Sequence, residues 1–137
     1  MASVAMPGQV GAAQPSTEER VNITAVNDFC ATFVVPFDWD KIGSFLSDNC
    51  KYRPSQNTPM VEGSEVIVRL LESSLGNATS AEFEMLDTWA RGPVVANDRV
   101  DRFVLPDRTL DIPLVGIFYL VDGKIAEWTD YILDVAP

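Results

Sequence analysis

The chain of 137 residues contains no histidine and only two cysteines, Cys30 and Cys50. Without histidine it cannot form an imidazole-activated serine or cysteine nucleophile, an Asp-His dehydratase site or a typical zinc hydrolase site. The cysteines are far apart and form no CxxC pair, so we expect two reduced, partly buried thiols rather than a disulfide.

Positive charge is scarce, and long apolar runs are missing. Ten basic residues stand against 20 acidic ones, which gives a formal net charge of −10, and no basic cluster is present. Nucleic acid and anionic membranes are therefore not expected as partners. The longest apolar run, residues 114–121, is much shorter than the roughly 20 residues that cross a bilayer. A small neutral or cationic partner is expected.

The start of the chain lacks charged side chains. Residues 1–16 are mostly small, include glycine and proline, and precede the first basic residue, Arg20. They lack the basic beginning of a secretory signal and are interpreted as a flexible tail. The remaining residues, 17–137, suffice for one hydrophobic core, so we expect a single domain. The expected reduced thiols predict a cytoplasmic location.

Helical signals dominate the first half of the chain. Residues 16–19 have the form of a capping box, and apolar side chains then follow at helical spacing until Pro36, namely Val21, Ala25, Phe29 and Phe33. Asp38 is expected to cap a short second helix that includes Leu46. Ser64 is expected to cap a third helix, which ends at Gly76.

Strand signals dominate the second half. Residues 50–52 predict a short strand before an irregular loop, residues 53–59. After Gly76 the apolar pattern changes to period two and predicts four strands, at residues 81–89, 94–105, 110–120 and 125–133. The order predicts an α+β fold, in which a curved, mixed and mostly antiparallel sheet wraps around the N-terminal helices and leaves a deep apolar pocket.

Three charged residues lie within the predicted strands. Arg99 and Asp101 point to the same face of one strand, as does Phe103, and Asp130 lies in another apolar strand. Buried charges must be paired, so these residues form either a structural ion pair or an active site. If hairpins bring them together, the two carboxyl groups would not both ionise easily. One would keep its proton and could act as an acid, while the other would be ionised and could act as a base. The guanidinium could donate to both.

Several segments resemble the limonene-1,2-epoxide hydrolase family, which shares a cone-shaped fold with nuclear transport factor 2 and ketosteroid isomerase. The resemblance covers roughly residues 17–133. It is carried by Arg99-Val100-Asp101, Gly116-Ile117-Phe118-Tyr119-Leu120, Asp122-Gly123-Lys124-Ile125 and Trp128-Thr129-Asp130-Tyr131. The glycine-containing segments indicate only the fold, whereas the first and last motifs together are more specific to the hydrolases.

The resemblance implies that water opens an epoxide in one step, without a covalent enzyme ester and without a cofactor. Asp130 would be the base that takes a proton from water, Asp101 the acid that protonates the epoxide oxygen, and Arg99 the bridge between them. The implied partners are water and a small lipophilic epoxide similar to limonene oxide. The resemblance also implies a homodimer, and exposed residues on one sheet face would suit its interface, namely Val115, Ile117 and Tyr119.

The family also holds the attacking water with a tyrosine and an asparagine. Tyr52 matches the tyrosine, but Pro54 occupies the position of the asparagine, so Asn57 is expected to take that role. Thr129 replaces an arginine, which bears on substrate preference. The residues expected to line the substrate pocket are Phe103, Ile112, Leu114, Leu71, Ser74 and Phe83.

Other functions remain open on the same fold. One alternative is a ketosteroid-isomerase-like enzyme or an epoxide-opening cyclase of polyketide assembly, since such folds are reused for many reactions. Another is a non-catalytic module that only binds a ligand in the pocket.

Overall fold

The computed structural model describes residues 14–133. These residues form three helices and six strands, in the order α1 (Thr17–Ala31), α2 (Trp39–Ser44), β1 (Leu46–Arg53), β2 (Val61–Glu62), α3 (Ser64–Leu75), β3 (Ser80–Arg91), β4 (Val94–Leu105), β5 (Arg108–Val121) and β6 (Lys124–Ile132). Of the predicted tail, residues 1–13 lie outside the described residues, as do residues 134–137. Within the described part, no helix combines the length and apolar character needed to cross a bilayer.

The six strands form one sheet in the order β2-β1-β6-β5-β4-β3. Strands β1 and β6 are parallel, and all other neighbours are antiparallel. The predicted α+β class and mostly antiparallel sheet are thereby confirmed. Tight turns join β3 to β4 and β5 to β6, where Gly92, Asp122 and Gly123 adopt positive φ angles that suit short hairpin connections.

Helix α1 begins with the predicted capping box. The Ser16 hydroxyl accepts from the Glu19 amide at 3.1 Å, and the Glu19 carboxylate accepts from the Ser16 amide at 2.7 Å. The predicted apolar face was partly wrong, because Val21 is 56% exposed whereas Asn22 is buried. Glu19 also accepts from the Gly92 amide, and Asn22 donates to the Gly92 carbonyl. These contacts fix the start of the helix against the β3–β4 turn with Asn22 facing inward.

The other two helices differ slightly from the predictions. Asp38 caps α2 as predicted, since its side chain accepts from the Lys41 amide at 3.0 Å. Leu46, however, begins β1 instead of extending α2. The predicted Ser64 cap was wrong, because Gly63 is the N-cap of α3 and Ser64 makes no capping bond. The chain turns into α3 at Gly63 with a φ of 105°, which glycine adopts readily.

The core lies between the helices and the inner face of the sheet. Phe29 on α1 meets Trp128 on β6 edge to face, with 5.1 Å between the ring centroids, and Phe118 on β5 stacks on the same indole at 5.8 Å. Cys30 and Cys50 are buried and free, as predicted. This aromatic core supports the inner face of β4, β5 and β6, from which the charged residues project.

Candidate active site

Strand β4 presents alternate residues to the interior of the protein. Asn97, Arg99, Asp101 and Phe103 are all buried, with at most 5% of each residue exposed, whereas the residues between them face the other side of the sheet. The period-two pattern predicted this arrangement for the last three. A cation, an anion and an amide are therefore placed side by side in an apolar interior, where each needs a polar partner.

The Arg99 guanidinium binds both aspartates. Its Nε and Nη2 atoms donate to the two oxygens of Asp101 at 2.7 and 3.2 Å, and Nη2 also lies 3.0 and 3.1 Å from the two oxygens of Asp130. The guanidinium carbon lies 4.6 Å from the centre of the Phe83 ring and 5.9 Å from that of Phe118. Aromatic faces attract a cation, so the two rings stabilise the guanidinium beside its carboxylate partners.

Gly116 allows Arg99 to reach Asp130. Strand β5 lies between β4 and β6, and Gly116 pairs with Asn97 on one side and with Asp130 on the other. A Cβ atom at position 116 would overlap Arg99 Nη1 and lie 2.8 Å from Asn97 Oδ1. The guanidinium thus occupies the space that any larger residue would fill, and it crosses β5 to connect a residue of β4 with a residue of β6.

Asn97 is a member of the cluster that sequence reasoning missed. Its Oδ1 accepts from Arg99 Nη1 at 2.9 Å, and its Nδ2 points to the sulfur atoms of Cys30 and Met85 at 3.6 and 3.7 Å. The sequence contained a signal for it, because residue 97 has the same strand parity as residues 99 and 101. A polar side chain at an inward position of an apolar strand indicates a buried polar network.

Asp130 is held by a second donor. The Trp128 indole donates from Nε1 to Asp130 Oδ1 at 2.8 Å, and Tyr52 stacks on the same indole with 4.0 Å between ring centroids. Tyr52 and Trp128 are neighbours because β1 and β6 pair in parallel with these residues in register. Asp130 therefore accepts three hydrogen bonds, two from Arg99 and one from Trp128.

Burial makes both carboxyl groups easier to protonate. It raises the pKa of Asp101 to about 6, although the Arg99 charge acts in the opposite direction. Burial also raises the pKa of Asp130, against the opposing effects of Arg99 and the Trp128 hydrogen bond. Burial alone would lower the pKa of Arg99, but the charges of Asp130 and Asp101 outweigh it and raise that pKa. One cation beside two carboxylates has a net charge of −1, and one bound proton makes the cluster neutral.

The other ionisable groups near the cluster stay protonated at neutral pH. Burial raises the pKa of the Cys30 thiol to about 12 and raises the pKa of Tyr52 well above its usual value. A thiol with so high a pKa is a poor nucleophile. Within the cluster, the groups that can exchange a proton are therefore the two aspartates, with Arg99 between them.

An apolar cavity of about 240 Å³ opens onto both aspartates. All six residues expected to line the pocket do line this cavity, namely Phe103, Ile112, Leu114, Leu71, Ser74 and Phe83. Six further residues also contribute to the lining, namely Tyr52, Pro54, Leu70, Leu75, Trp128 and Ile132. The polar side chains of Asp101 and Asp130 thus meet an otherwise largely apolar space.

The two residues expected to hold water lie in different places. Tyr52 is buried and lines the cavity beside Trp128. Asn57 is exposed on the loop between β1 and β2, and its side chain is not part of the cavity lining. Pro54, which stands where the asparagine was expected, does line the cavity. Thr129 faces the opposite side of β6, where it lines a shallow groove on the outer face of the sheet.

The fold is that of the cone-shaped α+β proteins, which include SnoaL-like and ketosteroid-isomerase-like structures. The chain belongs to the limonene-1,2-epoxide hydrolase family, because the model of the limonene-1,2-epoxide hydrolase catalytic domain matches residues 20–136. This match confirms the resemblance found in the sequence. No curated protein has a sequence that matches the chain significantly.

Several solved structures have the same fold. An LEH-like epoxide hydrolase from M. tuberculosis has a TM-score of 0.75 and 24% sequence identity, over 85% of each chain. A protein from a Jannaschia species, assigned as a SnoaL-like polyketide cyclase, has a TM-score of 0.77 and 16% identity, over 88% of this chain and 91% of its own. A protein from Kribbella flavida, assigned as a ketosteroid isomerase, has a TM-score of 0.67 and 19% identity, over 88% of this chain and 84% of its own. At these identities the likeness establishes the fold alone.

Proposed function

We propose that the protein is a cofactor-independent epoxide hydrolase that adds water to a small lipophilic epoxide and releases a vicinal diol. The observation that carries the proposal is the shared guanidinium, since Arg99 Nη2 lies 3.0 to 3.2 Å from carboxylate oxygens of both Asp101 and Asp130. Both carboxyl groups border the same cavity. Membership of the hydrolase family supports the same conclusion.

In the proposed reaction, Asp130 acts as the base and Asp101 as the acid. The water oxygen forms a bond to one ring carbon while Asp130 takes a water proton. The bond between that carbon and the epoxide oxygen breaks, and Asp101 gives its proton to the oxygen. The raised pKa of Asp101, about 6, keeps a fraction of the molecules protonated at Asp101 at neutral pH, and this fraction supplies the acid. Each turnover moves one proton from Asp101 to Asp130, and its return restores the site.

The cavity supports a compact, apolar substrate. Its volume of about 240 Å³ lies below the roughly 300 to 1,000 Å³ of sites for drug-sized ligands. Its walls away from the aspartates are mainly leucine, isoleucine and phenylalanine side chains. A single-ring epoxide similar to limonene oxide suits this size and polarity better than a steroid or a polyketide.

We assign the holding of the attacking water to Tyr52, which lines the cavity and stacks on Trp128. Tyr52→Phe should lower kcat by about 10- to 100-fold if the hydroxyl orients this water, because positioning of a reactant contributes strongly to the rate. The role expected for Asn57 stays a prediction. Asn57→Ala should match the effect of Tyr52→Phe if the residue acts on water, and should leave kcat unchanged if its exposed position excludes that role.

The reaction can be tested by single-turnover incubation of the protein with cyclic and linear epoxides in ¹⁸O-labelled water. Direct attack by water places the label in the diol during the first turnover, whereas a covalent ester would deliver an unlabelled carboxylate oxygen first. Asp101→Asn and Asp130→Asn should each reduce diol formation by at least about 100-fold. Mass spectrometry of the diol measures both results.

Asp98→Asn is the matched control. Asp98 lies on β4 between Asn97 and Arg99, but on the other side of the strand, so this variant should retain wild-type turnover. If the wild-type protein forms no diol from any epoxide in the panel, the proposal is wrong. Isomerisation of an enone would then favour the isomerase alternative. Ligand binding that survives both Asp101→Asn and Asp130→Asn without turnover would favour a binding module.

We also propose that the protein forms a homodimer and that residues 17–137 constitute one domain behind the tail of residues 1–16. The outer face of β5 carries Val115 and Ile117, which are partly exposed, and Tyr119, which is 45% exposed. Such an apolar sheet face suits a second copy of the chain. The cytoplasmic location expected from the sequence stays a prediction.

A further inference from the structure

A buried asparagine lies beside Arg99, next to the guanidinium nitrogen that binds neither aspartate. Asn97 has no exposed surface, and its Oδ1 accepts from Arg99 Nη1 at 2.9 Å. Asparagine is uncommon in strands, and a buried amide costs free energy unless its donors and acceptor are satisfied. A simple apolar residue would fill this position in an ordinary strand, so the amide needs an explanation.

The surroundings of Asn97 allow only one orientation of its amide. Its Nδ2 atom lies 3.6 Å from Cys30 Sγ on α1 and 3.7 Å from Met85 Sδ on β3. A thioether sulfur can accept a hydrogen bond but cannot donate one. The nitrogen must therefore face Met85, and the oxygen must face Arg99. A flipped amide would bring two donors together at Arg99 Nη1, so α1 and β3 together hold an acceptor in place for the guanidinium.

We infer that Asn97 is a positioning residue for Arg99, which sets the rotation of the guanidinium so that Nη2 faces both aspartates. A guanidinium is planar and rigid, so fixing Nη1 also fixes Nη2. Nη2 is the atom that donates to both Asp101 and Asp130. The inference rests on the proposed function for its effect on catalysis, whereas the geometry that it assigns to Arg99 does not.

Two properties of Asn97 matter, and two substitutions separate them. Asn97 supplies an acceptor, and it supplies one without charge. Asn97→Leu removes the acceptor while keeping a similar size. Asn97→Asp keeps the acceptor but adds a third carboxylate beside Arg99, which would compete with Asp101 and Asp130 for the same cation.

The rotation of the guanidinium can be measured without any substrate by ¹⁵N NMR of the arginine side chains. In the wild-type protein, the Nη1 and Nη2 signals of Arg99 should be separate and exchange slowly, because the group cannot rotate about its Nε–Cζ bond. Asn97→Leu should speed the exchange between the two signals, because only the hydrogen bonds to Asp101 and Asp130 then hold the group. Asn97→Asp should keep them separate, since an oxygen still accepts from Nη1.

Asn22→Leu is the matched control. Asn22 is also a buried asparagine, with 5% of its surface exposed, but it lies at the start of α1 and bonds the Gly92 carbonyl. Its replacement removes a buried amide without touching the cluster. It should leave the Arg99 signals and kcat unchanged, even if stability falls as much as in Asn97→Leu.

The kinetic measurements follow from the same geometry. Asn97→Leu should lower kcat by about 100-fold with little change in KM, because misplacing a group at the reacting centre affects the transition state more than binding. Asn97→Asp should raise the pKa of Asp101 above about 6, as read from its ¹³C carboxyl signal. Asp130 is followed in the same titration, whereas Tyr52 and Cys30, the other ionisable groups that face the cluster, stay protonated over this range.

Unchanged exchange between the Arg99 signals together with wild-type kcat in Asn97→Leu would overturn the inference. If Asn97→Leu does not fold, faster exchange between the Arg99 signals in Asn97→Asp would overturn it equally, because that variant retains the acceptor. If the wild-type protein opens no epoxide while the Arg99 signals respond as described, the proposed function fails and the positioning role stands.

Discussion

Asp101 retains a proton to higher pH than an ordinary aspartate, and this property affects stability. Its pKa rises from 3.8 to about 6 on folding because of burial. The folded protein therefore binds the proton more tightly than the unfolded chain, and stability falls as pH rises from about 4 through 6. At pH 7 the ionisation of Asp101 lowers the free energy of unfolding by about 3 kcal/mol, since each pKa unit is equivalent to about 1.4 kcal/mol.

We expect Asp101→Asn to be more stable than the wild-type protein at neutral pH. The amide cannot ionise, and Arg99 keeps Asp130 as its counterion. The gain in the free energy of unfolding should be about 1 to 3 kcal/mol at pH 7 and should vanish near pH 4. Urea unfolding across this range measures it, with Asp98→Asn as the control. If the difference in stability between Asp101→Asn and the wild-type protein does not depend on pH, the ionisation of Asp101 is not its cause.

Gly116→Ala should damage both stability and activity. The added Cβ would overlap Arg99 Nη1, so either the guanidinium or β5 must move. We expect a loss of about 1 to 3 kcal/mol in the free energy of unfolding, as for other overpacked sites, and a fall in kcat of about 100-fold. Urea unfolding and diol formation measure the two effects.

Gly43→Ala is the control for that substitution. Gly43 lies within α2, and an added Cβ would lie 3.2 Å from a methyl group of Val68, away from the cluster. Activity should be unchanged in this variant. Wild-type turnover in Gly116→Ala would mean that Arg99 does not need the space over β5.

At the scale of elements, the β1–β2 loop is attached to the end of β6 by one side chain. Gln56 donates to the Ile132 carbonyl and accepts from the Ile132 amide, both at 2.9 Å. The amide side chain thus pairs with Ile132 as another strand would. Because Pro54 and Ile132 both line the cavity, this pair of hydrogen bonds holds one wall of the site.

Gln56→Ala should therefore loosen this wall. We expect a loss of about 1 to 2 kcal/mol for two partly exposed hydrogen bonds, faster hydrogen exchange at the Ile132 amide and a raised KM. Gln56→Glu retains the acceptor for the Ile132 amide and should show a smaller change in exchange. The Leu133 amide, which donates to Pro113, should keep its protection in both variants. Unchanged exchange at Ile132 in Gln56→Ala would contradict the assignment.

The antiparallel strands could be predicted closely, whereas β1 could not. Strand β4 has the predicted bounds, because its apolar alternation lies between clear turn residues and its partners follow directly in the chain. Strand β1 extends over Leu46–Arg53, far beyond the predicted residues 50–52. Its first half is polar, at residues 47–49, and its parallel partner β6 lies at the other end of the chain. Local pattern carries no information about such a partner.

Parts of the site could be predicted from local sequence patterns, whereas the roles of Asn97 and Gly116 could not. The alternation in β4 placed Arg99 and Asp101 on one face, and hairpin pairing of the strands was expected to bring Asp130 to them. The contribution of Asn97 depends on contacts with Cys30 and Met85, which belong to two other elements. Gly116 could be located on the inner face, but its importance appears only when the long side chain of Arg99 crosses it. The roles of Asn97 and Gly116 both depend on packing between elements that are distant in the sequence.

At the scale of the whole molecule, the partly exposed apolar face of β5 predicts that two copies of the chain associate. Ile117→Lys would place a charge in the centre of the proposed interface and should convert a dimer to a monomer in sedimentation velocity experiments. Val34→Lys is the matched control, because Val34 is 51% exposed but lies on the connection between α1 and α2. A wild-type protein that sediments as a monomer, or an Ile117→Lys variant that remains a dimer, would contradict the proposed interface.

The parallel pairing of β1 with β6 also affects when the candidate site forms during folding. Tyr52 and Trp128, which pair across these strands, belong to distant parts of the chain, and contacts between distant segments form slowly during folding. The surroundings of Asp130 are therefore complete only after the early and late segments have met. A partly folded chain lacks a working site, so activity should return together with the last phase of refolding.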